Sequence, residues 1–95
     1  MMKPKVSQEF HIETLIQLVK TQAPNRIDVI TALEKVEIKK WKKKAYTHFV
    51  DATNPNQPYS KWQFKESIVL EDEGTIILDI LKDGSIGGVE FYELL

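Results

Sequence analysis

The densest group of chemistry-bearing residues is DILKDGSIGGVEF, from Asp79 to Phe91, with Asp79, Asp83, Glu90 and three of the four glycines of the chain. Counted from Asp79 as the first position of a calcium loop, Asp83 falls where a ligand belongs and Gly84 at the sharp turn. Ile86 then takes the apolar anchor position and Glu90 that of the bidentate carboxylate. Weak calcium or small-ligand binding at the 79–90 loop, with Asp79, Asp83 and Glu90 as the calcium ligands, is therefore one reading. Leu81 opposes it, because it offers no side-chain oxygen at a ligand position. The preceding EDEGTIIL also suits a strand rather than the entering helix such a loop needs. A phosphate cradle fits less well, since neither glycine-rich spacing is present and no helix follows to present its amides. The reading that takes precedence is a β-hairpin. Asp83-Gly84 forms its tip, and Gly87-Gly88 marks a bulge or the close approach of a backbone or an aromatic ring.

The second concentration is basic. Lys35, Lys39, Lys40, Lys42, Lys43 and Lys44 fall within ten positions around Trp41. A solvated helix end is the plainest reading, an acidic partner or a second copy comes next, and nucleic acid comes last. There is no Arg in the run, and no helix-turn-helix or zinc pattern elsewhere. His11 and His48 share no metal-ligand spacing. His48 shares a strand face with Tyr46, opposite Thr47. Glu66, Asp79 and Glu90 can meet on neighbouring strands, but alternation more often makes such residues the solvated face of a sheet.

The elements that position these residues follow from periodicity. Ser7 is a candidate N-cap, and Ile12, Leu15, Ile16 and Val19 recur at helical spacing, which predicts a helix over 7–22 ended by Pro24. Ile27, Ile30, Ile38, Trp41 and Ala45 lie within about 80° on a helical wheel, which predicts a second helix over 26–44. Leu33 and Val36 lie off that stripe, so an end near Lys35 is the alternative. From Ala45 the period changes to two. AYTHFV, KWQFKESIVLED, GTIILDIL and IGGVEFYEL read as strands, separated by the loop TNPNQPYS and the turns EDEG and KDGS. The expected fold is one α+β domain over 1–95, with two N-terminal helices and a four-stranded antiparallel β-meander over 45–95.

From about Ala45 to Tyr92 the chain resembles a widespread family of small prokaryotic domains of unknown function. The resemblance rests on AYTHFV, on ESIVLEDEGTIILDI, and on a closing pattern of Leu78-Asp79, Asp83-Gly84, Ile86, Gly88-Val89-Glu90 and Phe91-Tyr92. Leu81 stands where that family usually has an acid, and the first 44 residues have no counterpart in its minimal domain. The resemblance implies a small β-meander and, through toxin-like gene neighbours of some members, an antitoxin- or immunity-like role.

The net charge of −1 is unevenly spread, +4 over residues 1–60 and −5 over 61–95. Opposite poles on one small domain favour self-association or a charged partner. The absence of cysteine rules out disulfides and thiolate metal sites. There is no run of about 18 apolar residues for a membrane span. The expectation is a soluble, cytoplasmic, non-enzymatic protein-interaction module that binds a protein partner or forms a homo-oligomer, without cofactor. Its expected contact residues are Lys39, Lys40, Trp41, Lys43, Lys44, Phe91 and Tyr92, with GVEFYELL as an exposed sheet edge.

Overall fold

A computed structural model describes residues 9–95. In chain order these form β1 (Glu9–His11), α1 (Ile12–Gln22), α2 (Ile27–Glu34), β2 (Lys40–Lys42), β3 (Tyr46–His48), β4 (Phe64–Glu71), β5 (Thr75–Leu81) and β6 (Ile86–Phe91). A 3-10 turn at Tyr92–Leu94 follows. The class is α+β, as expected. Two helices accompany a four-stranded antiparallel sheet, and β1 pairs with β2 in a separate two-stranded ribbon.

Helix α1 buries Ile12, Leu15, Ile16 and Val19, the stripe read from the sequence. It begins at Ile12 because the preceding residues are extended, with His11 in the N-cap position; the proposed cap Ser7 lies outside the described residues. Helix α2 corrects the expectation of a helix over 26–44, since it ends at Glu34 with Lys35 as its C-cap. Its buried residues are Val29 and Leu33, while Ile27 on the predicted stripe is exposed. The apolar wheel misled because KWK also alternates with period two. As a strand it places Lys40 and Lys42 outward and turns Trp41 toward Phe10, ring centroids 5.6 Å apart. A helix through this stretch would have stacked Lys35, Lys39 and Lys43, and Lys40 and Lys44, at the four-residue spacing where like charges repel.

The sheet order is β3-β6-β5-β4. Strands β4, β5 and β6 form the expected meander, but β3 crosses over through residues 49–63 to pair with β6. Strand β6 is thus interior, which corrects its expected place at the edge, and Phe91 is buried edge-on against Phe10. The edges are β3 and β4. Gly88 makes the crossover possible: a Cβ there would lie 2.5 Å from the carbonyl oxygen of Thr47. One face of the sheet, with Leu70, Ile76, Leu78, Ile80, Ile86, Val89 and Phe91, packs on α1 and α2 to form the core. The opposite face holds the chemistry.

Candidate functional site

The β5–β6 hairpin has the tip expected from the sequence. Gly84 adopts φ +89°, and Asp83 Oδ1 accepts from the Ser85 N–H (2.9 Å) and hydroxyl (2.6 Å). These bonds hold the Asp83 carboxyl below the usual carboxylate range. Asp79 and Glu90 lie far down the strands from this tip, so the three proposed calcium ligands do not line one loop. The tip instead closes a cleft of about 520 Å³ against α2 and the segment after it, lined among others by Asp28, Lys35, Ile38, Val50 and Asp83.

Asp79 and Glu90 do come together, on the sheet face away from the helices. Asp79 is opposite Ser67 on β4 and Gly88 on β6, while Glu90 is opposite Ile77 on β5 and Tyr46 on β3. Ser67 Oγ donates to Asp79 Oδ1 (2.9 Å), and the Tyr46 hydroxyl donates to Glu90 Oε2 (2.9 Å) while lying 3.5 Å from Asp79 Oδ2. Asp79 is only 3% exposed. Burial, and then hydrogen bonding to Glu90, push its carboxyl up to about 7. Burial and the Glu90 hydrogen bond likewise hold the Tyr46 phenol above its ordinary range.

The loop between β3 and β4 lays Trp62 over this face. A Cβ on Gly87 would meet its ring at 2.8 Å, and the ring packs edge-on against His48, which in turn stacks on Tyr46 at 4.5 Å. Gly87 and Gly88 thus accommodate both of the neighbours their spacing allowed, an aromatic ring and a backbone. A register shift between Asp79 and Ile80 marks the bulge. Glu66, grouped with Asp79 and Glu90 in the sequence, belongs to the other face. There it pairs with Arg26 at the start of α2 (2.7 Å), which also binds Asp28 (3.0 Å). Hydrogen bonds from Arg26 hold both carboxyls below the usual range. Ser67 takes the place Glu66 was expected to fill. Among the described residues no group of three or more acidic or histidine side chains is arranged to hold a metal ion.

The expected contact residues are dispersed. Lys39 donates to the Glu34 carbonyl (3.2 Å), and Lys40 lies 4.0 Å from Glu9. Lys43 Nζ sits 5.0 Å from the centre of the Phe91 ring, a cation–π contact that employs both residues within the fold. Trp41 is held between Phe10 and Phe49, and its buried indole N–H has no partner among the described residues. It is therefore not a free stacking platform. Lys44 and Tyr92 are exposed.

The feature that sequence reading missed is the β4 edge. Gln22, at the end of α1, binds the backbone of Glu71 as a neighbouring strand would: its Oε1 accepts from the Glu71 N–H (2.9 Å), and its Nε2 donates to the Glu71 carbonyl (2.7 Å). The backbone of Glu71 therefore faces away from β5. By the alternation of an antiparallel ladder, so do those of Val69 and Ser67. Val69 is 58% exposed and Ser67 is also exposed. On the far side of this stretch the register shifts between Phe64 and Glu66, leaving Lys65 as the bulged residue. Only the strand order could have revealed this edge.

No protein-family model, curated protein or solved structure matches the chain significantly. Among the described residues no helix is long and apolar enough to cross a membrane.

Proposed function

We propose that this protein is a non-enzymatic interaction module that docks a protein partner by adding a strand to the β4 edge. The observation that carries the reading is the pair of rungs at Ser67 and Val69 left open among the described residues, on an eight-residue edge strand beside exposed Val69 and Phe64. Unpaired main-chain groups on an edge are a template for another strand, and exposed side chains beside them supply selectivity. The polar network around Asp79 supports this role by fixing the edge strand itself, since Ser67, whose backbone faces outward, is tied to β5 by its side chain. An antitoxin- or immunity-like setting is one in which such a module would act.

The test is a selection of strand-forming peptides from a random display library, followed by amide hydrogen exchange of the complex. The expected result is slowed exchange at the Ser67 and Val69 amides. Ligands that protect the 49–63 loop or α2 and leave those two amides unchanged would overturn the reading.

A further inference from the structure

The open part of the β4 edge is short and bounded. The Gln22 amide occupies the Glu71 rung at one end, and the bulge at Lys65 breaks the ladder at the other. Between them remain the outward backbones of Ser67 and Val69. We infer that a second copy of this chain occupies this window, its β4 antiparallel to the first about a twofold axis at Ile68. The inference rests on the edge-docking reading and names its partner.

Three features converge on that register. A twofold axis at Ile68 sets Ser67 opposite Val69 of the second copy and Val69 opposite its Ser67. Every open N–H and C=O is then matched, and no rung already bound by Gln22 is needed. An axis one residue away, at Ser67, would instead require the bulged Lys65 as a rung. Beyond the two rungs, the same symmetry brings the Lys65 and Glu71 side chains of the two copies toward each other at both ends, with opposite charges facing. A parallel arrangement in the same window would align like with like. Finally, Ile68, only partly buried by the helices, meets its own copy at the axis. The self-complementary pattern is the property an isologous contact requires. With two rungs per strand the contact is small, and the dimer is a weak, reversible one.

Sedimentation equilibrium of the full chain from micromolar to millimolar concentration tests the proposal. The expected result is a reversible monomer–dimer equilibrium with its dissociation constant inside that range. Val69→Pro, which removes an outward N–H, should weaken the dimer at least about tenfold. Val69→Lys changes only an exposed side chain, so it reports on the same contact even if the proline variant fails to fold, and the same weakening is expected. Lys65→Glu and Glu71→Lys should each weaken association several-fold, and the double reversal should restore it. A wild type that remains monomeric at millimolar concentration would overturn the proposal. So would a Val69→Lys variant that dimerises like the wild type, or a double reversal that restores nothing. If the wild type is monomeric but display-selected peptides still protect Ser67 and Val69, the second copy falls and edge docking stands. If neither occurs, both fall.

Discussion

Replacing Asp79 by Asn should make the protein more stable at pH 8 and nearly unchanged at pH 4. Asp79 is buried beside Glu90, and its carboxyl titrates near 7 in the folded protein against an ordinary value of 3.8. Its folded value is the raised one, so between about pH 4 and 7 the native state keeps a proton that the unfolded chain has released. Stability therefore falls as pH rises through that window, and the loss is complete above the folded value. At about 1.4 kcal/mol per pH unit the upper bound on this loss is ~4 kcal/mol, and relaxation of the Tyr46 and Glu90 side chains reduces it toward ~2. Asn is nearly isosteric, still accepts from Ser67 Oγ, and carries no charge to desolvate. The Arg26-bound carboxyls of Asp28 and Glu66 act oppositely. Their lowered values protect stability above about pH 4, and that protection is lost on further acidification. Urea unfolding at intervals from pH 4 to 9, for wild type and Asp79→Asn, measures the difference directly. The two stability curves should converge toward pH 4 and diverge by a few kcal/mol at pH 8. Parallel curves, or a variant less stable at pH 8, would refute the account of a buried carboxyl held against its charge.

Gly88→Ala should cost about 2–3 kcal/mol in thermal unfolding, because the added methyl meets the Thr47 backbone, which is less free to move aside than a side-chain tip. Its amide exchange should quicken in β3 first, as among the described strands that one is held by β6 alone. Gln22→Ala should lower stability by about 1 kcal/mol, since its two bonds to Glu71 are solvent-exposed, and should speed exchange of the Glu71 amide selectively. Arg26→Met removes the bidentate tie between the start of α2 and β4, and a loss of ~1 kcal/mol that shrinks with added salt is expected in chemical unfolding.

Local patterns were legible where the physics is local. The α1 stripe repeats every three or four residues over a single element, and the core uses all four of its named positions. The Asp83-Gly84 tip follows from a turn that few residue pairs accommodate, so it required no knowledge of the rest of the fold. Gly87-Gly88 was readable as a need for space, although not as to which neighbour fills each gap. The stretch 35–44 was misread because it satisfies two periods at once. Its strand is selected by pairing with residues 9–11, about thirty positions away, and by the repulsion a lysine-rich helix would suffer.

The strand order decided the rest. Sequence placed Glu66, Asp79 and Glu90 on neighbouring strands, but their faces depend on register. Glu66 lies opposite Ile80 and turns to Arg26 on the helix side, whereas Asp79 lies opposite Ser67 and near Glu90. A one-residue difference in pairing exchanges the two faces of a strand. Likewise, nothing along the chain distinguishes β6 as interior or β4 as an edge. That assignment came from Gly88, whose missing side chain lets β3 approach β6 and leaves the outer backbone of β4 to Gln22 at one rung and to solvent at the next two. The residues and their alternation were properties of the sequence. Which alternation faced which neighbour was a property of contacts made across tens of residues, and only the tertiary structure fixes those.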